Sequence, residues 1–353
     1  MNWTESAEAF LEKLVRIPGN SFEESARADF IQEYLEGRGL KVERLGENII
    51  VRDPMADASR PTLMLNSHID TVKPSESYTF NPYDPPVAED RIYGLGSNAA
   101  GGSVTCLLHA FLHFIESGSR RNVNLTLVLS CEEERSGAGG MSLVCGTYPD
   151  IADMAVIGEP TSLQAAVAER GLLVVDATAH GVSGHAAREE GVNAIYKAME
   201  DIAKIERMTL PKVSPTMGRV KMTVTQVEAG YVHNIVPDTC RFVIDIRPTD
   251  CYTNPQIMEM LSGELQSELK ARNLTNRSSS TPDGCPLLDA VKRAGIPTFV
   301  SQTTSDWMRI GAIPAVKIGP GESSRSHKAD EFILKEEISK GMETYISIIE
   351  SLQ

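Results

Sequence analysis

Four apolar stretches of strand length each end in side chains that can bind metal ions or move protons. These side chains are His68 with Asp70, the three glutamates at 132–134, Glu159, and His327. In an open parallel sheet, ligands bind just beyond the carboxyl ends of the strands. The sequence therefore predicts that imidazoles and carboxylates from distant parts of the chain face one crevice.

The glutamates Glu132, Glu133 and Glu134 follow the predicted strand at 125–129. Neighbouring side chains at a strand end point to opposite faces, so at least one of them should enter the crevice. Carboxylates packed together raise one another's pKa, and a divalent cation removes that penalty. Alone, the three glutamates favour a solvated acidic loop. Together with histidines at other strand ends they favour a metal site, and this ligand chemistry suits zinc.

The elements that must position these residues begin with alternating strand and helix patterns. A capping box, Ser21-Phe22-Glu23-Glu24, predicts a helix that ends near Gly39. Further on, the sequence predicts strands at 41–45, 48–52, 62–66, 123–130 and 154–157 and helices at 103–117 and 139–145. This alternation predicts an α/β fold, with a mainly parallel sheet and helices on both of its faces.

The pattern changes after about residue 167. The order becomes β-α-β-β-α, close to a ferredoxin-like α+β unit, with strands at 172–179, 220–227 and 241–246 and helices at 192–206 and 255–271. Strand and helix signals then return at 296–300, 315–318 and 335–351. We therefore expect a discontinuous α/β domain, residues 1–167 and 278–353, interrupted by a smaller inserted domain at 168–277.

Composition excludes several classes of function. The chain has 353 residues and a formal net charge of −14, so neither nucleic acid nor an anionic membrane surface is an expected partner. No apolar run is long enough to span a bilayer, and the first residues do not resemble a signal peptide. The six cysteines form no CxxC pair, which is typical of reduced thiols. We expect a cytoplasmic protein.

The motifs together resemble a known family. His68-Ile69-Asp70, Glu132-Glu133-Glu134, Gly158-Glu159-Pro160-Thr161 and Ser326-His327 are similar to those of the co-catalytic zinc deacylases and carboxypeptidases. That family includes acetylornithine deacetylase, succinyl-diaminopimelate desuccinylase and aminoacylase. The resemblance covers nearly the whole chain, and the stretches LNSHIDTVKP, YGLGSN and IGPGESSRSH resemble bacterial deacylases of acylated ornithine or citrulline in arginine biosynthesis.

The resemblance implies a metal centre with two Zn²⁺ ions per subunit, with Co²⁺ as an alternative ion. His68 and Glu159 would hold one ion, and Glu134 with His327 the other. Asp70 would hydrogen-bond to His68 and fix its tautomer. The inserted domain corresponds to the part of the family that forms a dimerisation lid, so a homodimer is implied.

The resemblance also implies catalytic and substrate-binding roles. Glu133 would be the general base, and His185 would reach across a dimer interface to the oxygen of the reacting carbonyl. Asn234 and Arg247 resemble lid residues that contact substrate. Because an anionic N-acyl amino acid must approach an acidic chain, local cations are needed, and the candidates are Arg170, Arg247 and Arg325.

One position departs from the family pattern. The family places a metal-bridging aspartate in the glycine-rich segment, and alignment of the glycines puts Ala99 there. A methyl group cannot coordinate a cation, which leaves each metal only two protein ligands. The chain is then either an inactivated form of an enzyme, engineered or natural, or a retained fold with weaker metal binding and a changed role. The resemblance also predicts a cis peptide bond at Ala99–Ala100.

The leading hypothesis is a hydrolase that removes an acetyl or succinyl group from an amino acid such as ornithine or citrulline, impaired by Ala99. Its alternatives are a dipeptidase, a succinyl-diaminopimelate desuccinylase, or an inactive homodimer that binds acyl amino acids. Gly94–Ala99 also fits a dinucleotide fingerprint, but the prolines upstream favour a tight turn. His109 and His113 have the spacing of a metalloprotease motif without its glutamate, and we expect them on a solvated helix face.

Overall fold

The computed structural model describes residues 2–188 and 190–352. Its α-helices are α1 Trp3–Leu14, α2 Ser25–Glu36, α3 Gly102–Ser117, α4 Met141–Thr147, α5 Ala194–Arg207, α6 Asn254–Glu264, α7 Pro286–Arg293 and α8 Lys335–Glu350. Its first strands are β1 Glu43–Leu45, β2 Asn48–Arg52, β3 Thr62–His68, β4 Arg91–Tyr93, β5 Asn124–Ser130, β6 Met154–Ile157, β7 Ala165–Glu169 and β8 Leu173–His180. The later ones are β9 Gly184–His185, β10 Lys221–Ala229, β11 Ile235–Val236, β12 Thr239–Arg247, β13 Glu268–Ala271, β14 Ser279–Ser280, β15 Thr298–Ser301, β16 Ala315–Lys317 and β17 Phe332–Leu334.

The chain divides into two compact units. The first consists of Met1–Val167, Ser280–Phe299 and Ser305–Gln353, and the second of Ala168–Ser279 with Val300–Thr304. The sequence places its boundaries at 167/168 and 277/278. The roles expected for the two units, metal binding and dimerisation, stay predictions.

The first unit is built on a sheet whose central strands are parallel. Strands β5, β3, β6 and β16 pair in parallel in that order, with β2 antiparallel beyond β5. One apolar core lies between the sheet and helices α1, α2, α3 and α8, and another includes Met141 and Val144 of α4. The predicted fold class is therefore confirmed, because both faces of a mainly parallel sheet are covered by helices.

The second unit contains a four-stranded antiparallel sheet in the order β10-β12-β8-β13. Helices α5 and α6 contribute Ala198, Ile205, Ile257 and Leu261 to its core. The predicted helix over 255–271 is wrong in its second half, because α6 ends at Glu264 and residues 268–271 form β13. There Leu269 packs against the core while Glu268 and Lys270 face outward, which is the alternation of a strand.

Two local predictions in the first unit are also wrong. Helix α2 begins at Ser25, four residues after the predicted cap, and the Ser21 hydroxyl instead donates to Asp70. His109 is buried rather than solvated, since α1 and α2 supply Ser6 and Tyr34 as partners for its Nε2. Burial lowers its pKa to about 4, so His109 is a neutral core residue.

All six cysteines are free thiols in the structure. In the described part of the chain, no helix combines the length and the apolar character that crossing a membrane requires.

Candidate metal centre

His68 is the last residue of β3 and is almost fully buried, with 3% of its surface exposed. Its Nδ1 lies 3.0 Å from the carbonyl oxygen of Asp70, which can only accept, so Nδ1 carries a proton. The Asp70 carboxylate lies 3.3 Å from the same nitrogen. These contacts fix the ring and direct Nε2 toward Glu133 and Glu159, as expected of a buried metal-binding histidine.

The acidic turn after β5 is fixed by the same carboxylate. Glu132 has a positive φ of 58°, and a single 3₁₀ turn, Glu133–Arg135, follows it. The backbone N–H groups of Glu133 and Glu134 donate to the two oxygens of Asp70 at 3.0 and 3.1 Å. One buried carboxylate therefore sets both the histidine and the turn that carries the glutamates.

Six residues predicted from the sequence come together at this edge of the sheet. His68 Nε2 lies 3.8 Å from Glu159 Oε1 and 4.0 Å from Glu133 Oε2. His327 Nε2 lies 2.8 Å from Glu134 Oε1. Ligand atoms of His68, Glu133 and Glu134 all lie within 4.8 Å of one another. The pairs His68–Glu159 and Glu134–His327 are those that the family resemblance assigns to the two ions.

The electrostatics of the cluster fit a cation. Burial, with the neighbouring carboxylates, raises the pKa of Glu133 well above its usual value, and burial raises the pKa of Glu159 to about 7. Burial opposes the charge on His68, yet the carboxylates of Asp70, Glu159 and Glu133 together raise its pKa. Without a metal ion, protonation reduces the negative charge of the crowded carboxylates. A bound divalent ion would replace these protons.

A further buried carboxylate, Asp306, is part of this environment and was not predicted. It accepts a hydrogen bond from the Ser130 hydroxyl, and burial raises its pKa to about 6. Asp306 lies close enough to Glu133 and Glu159 to raise the pKa of each. The sequence signal was a carboxylate after the predicted strand 296–300, but five residues separate the two.

The glycine-rich turn that contains Ala99 is held by a second unpredicted carboxylate. Glu331, 2% exposed, accepts hydrogen bonds from the backbone N–H groups of Gly96, Asn98 and Ala99 at 3.0, 2.9 and 2.8 Å. The Asn98 side chain bonds to Glu322 and Ser326, away from a metal-binding role. The peptide bond Ala99–Ala100 is cis, as predicted.

The residues present fit two metal ions incompletely. Two histidines and three glutamates provide the nitrogen and oxygen donors that zinc binds, and their buried charge calls for a cation. Position 99 adds no donor. His68 with Glu159 would hold one ion, and His327 with Glu134 the other.

Four predicted residues lie in the second unit. His185 on β9 pairs with Ile235 on β11, and the Ala186 N–H donates to the carbonyl oxygen of Asn234 at 3.0 Å. Arg247 makes a double hydrogen bond to Asp245 at 2.7 and 3.0 Å. Arg170 is buried and donates to the carbonyl oxygens of Met217 and Arg219. Their substrate-binding roles stay predictions.

The remaining predicted substrate-binding residue, Arg325, belongs to the first unit. It is paired with Glu337 at 2.7 Å and with Glu322 at 2.8 Å. The three arginines expected to attract substrate are therefore each engaged with a partner inside the protein. Any of them would have to exchange that partner for a substrate carboxylate.

Comparisons with known proteins agree with this architecture. The succinyl-diaminopimelate desuccinylase of Corynebacterium glutamicum is 28% identical over 346 residues, covering 93% of this chain and 92% of that protein. The acetylornithine deacetylase of Myxococcus xanthus is 25% identical over 360 residues, covering 94% and 93%. Both relatives match along almost their whole length.

Solved structures show the same fold. A tripeptidase from Staphylococcus aureus superposes with a TM-score of 0.80 at 20% identity, covering 99% of this chain and 98% of that one. A dinuclear metal binding peptidase from Bacillus subtilis superposes with a TM-score of 0.71 at 15% identity, covering 98% and 97%. The family model for peptidase family M20/M25/M40 matches residues 64–351. The chain therefore belongs to this family of metal-dependent hydrolases.

Proposed function

We propose that this protein has the site of an N-acyl amino acid deacylase, whose activity is impaired by Ala99. The reaction would remove an acetyl or succinyl group from the α-amino group of an amino acid such as ornithine or citrulline, in arginine biosynthesis. The observation that supports it most is the buried cluster in which Glu133 lies beside two potential metal ligands, His68 and Glu159. The names of the two relatives support the substrate class.

The residues of the site divide the work as follows. Zn²⁺, or Co²⁺ as an alternative, would polarise the acyl carbonyl and make water more acidic. Glu133 takes the proton of the attacking water and passes it to the leaving amine. A raised pKa suits both steps, because a stronger base takes the proton of water more readily and, once protonated, can donate it to the leaving amine. His185 supports the developing oxyanion in the family mechanism. The products are a carboxylate and a free amino acid.

The first experiment compares the unaltered chain with Ala99→Asp. We expect the substitution to increase the zinc content and to raise deacylation by at least about 100-fold, because each ion regains a carboxylate ligand. Zinc would be measured by elemental analysis and turnover with N-acetylcitrulline, N-succinylcitrulline and N-acetylornithine. Full activity in the unaltered chain would show that Ala99 does not occupy the bridging position.

The same assay separates the rival functions. Hydrolysis of dipeptides in preference to N-acyl amino acids would favour a dipeptidase, and hydrolysis of N-succinyl-diaminopimelate a desuccinylase. Binding of N-acyl amino acids without turnover in Ala99→Asp would favour an inactive binding protein. A Glu133→Gln variant in the Ala99→Asp background is the control, because it keeps the shape of the site but lacks the base.

We propose that the second unit forms a homodimer, and that the protein acts in the cytoplasm. Tyr196 and Met199 of α5 and Val227 of β10 are more than half exposed, at 66, 57 and 57%. Exposed apolar side chains beside an edge strand are typical of an interface. Sedimentation should give a dimer that Tyr196→Glu with Met199→Glu weakens, whereas a monomeric unaltered chain would contradict the proposal.

A further inference from the structure

Three polar side chains at the start of α2 reach the loops that carry the metal centre. The Ser21 hydroxyl donates to Asp70 Oδ2 at 2.7 Å. Glu24 Oε1 accepts the backbone N–H of Glu132 at 3.0 Å. Residues 21, 24 and 27 are evenly spaced, and the third of them, Arg27, also points into this region. We call residues 21–27 the buttress segment.

Arg27 joins three separate stretches of backbone. Its guanidinium donates to the carbonyl oxygens of Ile17 at 2.8 Å, Ile69 at 3.0 Å and Leu95 at 3.3 Å. Ile69 lies between His68 and Asp70, and Leu95 immediately precedes the turn that contains Ala99. The planar guanidinium has donors in fixed directions, so it fixes these stretches relative to one another.

Two side chains of the buttress segment are deeply buried. Glu24 is 1% exposed and Arg27 is 2% exposed. Within residues 2–188 and 190–352, no carboxylate forms an ion pair with Arg27, whose contacts are backbone carbonyls. A Cβ at Gly19 would lie 2.3 Å from Arg27 Cδ, so only glycine leaves room for the side chain there. Burying a charged guanidinium costs free energy unless hydrogen bonds of good geometry compensate for the lost hydration.

The same segment gives up the bonds that would stabilise its own helix. Ser21 and Glu24 could cap α2, yet Glu24 makes no capping bond and the Ser21 hydroxyl is used by Asp70. The second oxygen of Glu24, Oε2, has no hydrogen-bond partner among the described residues. Side chains that break local rules in a folded protein are expected where function requires it.

We propose that Ser21, Glu24 and Arg27 are positioning residues for the metal centre. Through Asp70, Ile69 and Glu132 they hold the His68 loop and the Glu132–Glu134 turn in one register. The inference rests on the proposed function only for its consequence in catalysis, since the contacts themselves require neither metal nor substrate.

The test is hydrogen exchange of backbone amides in the metal-free protein, followed by mass spectrometry. Glu24→Ala and Arg27→Lys should each speed exchange at least about tenfold in peptides covering 67–72 and 131–136. Exchange in β6 should be unchanged. Glu24→Gln keeps an acceptor oxygen and should remain within about twofold of the unaltered chain. That rescue would not be expected if burial of an acid were the reason for Glu24.

The matched control is Arg38→Met, which removes another guanidinium that donates several hydrogen bonds within the protein. Arg38 donates to Glu116, Tyr34 and Ser6, none of which lies in a loop of the metal centre. Its loss should lower overall stability and leave the two loops unaffected. If Glu24→Ala does not fold, Arg27→Lys and Ser21→Ala carry the same test.

Metal binding supplies the second readout. In the Ala99→Asp background, Glu24→Ala should weaken Co²⁺ binding about 10–100-fold and alter the visible spectrum of the bound ion. Unchanged loop exchange in the folded variants, or faster exchange spread evenly along the chain, would overturn the proposal. Faster exchange in the two loops and weaker Co²⁺ binding, with no deacylation even in the Ala99→Asp parent, would instead count against the proposed function alone.

Discussion

The two halves of the metal centre are built differently. His68 is 3% exposed at a strand end, and Asp70 beside it is fully buried. His327 lies in a loop with a positive φ of 61°, and 53% of its side chain is exposed. The first half is held by the sheet and by Asp70. In the second half Asp70 fixes only the backbone of Glu134, and the exposed His327 ring bonds to the Glu134 side chain.

This difference allows the effect of preorganisation on metal binding to be distinguished from the effect of ligand type. Each half offers one imidazole and one carboxylate, so their intrinsic affinities for a cation are similar. The buried half has lost its conformational freedom during folding, while the exposed half must lose it on binding. The two ions should therefore bind with unequal affinity, the tighter one beside His68.

The largest expected effect is the loss of metal affinity when each histidine is removed in turn. This experiment tests whether the two halves differ. In the Ala99→Asp background, His68→Ala should weaken Co²⁺ binding more than about 100-fold, because buried carboxylates lose their partner. His327→Ala should weaken it about tenfold. Titration calorimetry measures both, and equal losses would show that burial does not distinguish the halves.

Asp70→Asn sharpens the comparison by acting mainly on the buried half, because Asp70 contacts the His68 ring directly but reaches Glu134 only through its backbone N–H. One oxygen that accepts from Glu133 or Glu134 becomes an N–H donor, so the turn should shift. We expect a 10–100-fold loss of metal affinity or activity. Asp84→Asn, in an exposed ion pair with Arg16, is the control and should change neither. A loss confined to the weaker ion would contradict the assignment.

The pH dependence of stability is the smallest effect. In the metal-free protein Glu159 has a pKa of about 7 against 4.5 for the unperturbed group, so the folded state binds more protons than the unfolded state between these values. Its contribution is present below about pH 4.5 and is lost as the pH rises through about 7. Glu159→Gln should reduce that loss by ~3 kcal/mol.

Urea unfolding at pH 5 and pH 8 in the presence of a chelator provides the measurement. The raised pKa of His68 acts in the same direction, since its stabilising charge is also lost as the pH rises. Added Zn²⁺ should remove much of the pH dependence by replacing protons. A metal-free protein that becomes more stable toward pH 8 would contradict the proposed charge balance.

The sequence predicts the ligands better than their supports. His68, Glu133, Glu134, Glu159 and His327 follow predicted strands, and parallel topology brings such ends together. Asp306 and Glu331 could not be found this way. The bonds from Glu331 to residues 96–99 span more than 230 positions and leave no periodic pattern.

The remaining wrong predictions arise where a polar side chain bonds to a distant partner instead of the local one that the sequence pattern suggests. Ser21 has the local pattern of a helix cap, but Asp70 takes its hydroxyl. His109 falls outside the apolar stripe of α3, yet α1 and α2 bury it with hydroxyl partners. The main elements of the second unit follow the predicted β-α-β-β-α order, but residues 268–271 form β13 where the sequence predicts a helix. Local patterns identify elements, while tertiary partners decide single polar residues.

The carboxylate of Glu331 accepts hydrogen bonds from backbone N–H groups of the turn at 96–99. Every amino acid except proline has such a group. The path of the chain there does not depend on which side chain residue 99 carries. On the proposed assignment of residue 99 as the bridging position, a single codon change would delete or restore a charge beside the metal ligands while the scaffold stays intact. Loss and recovery of chemistry would then be separated from loss of folding, so the same substitution could be reversed without refolding the site.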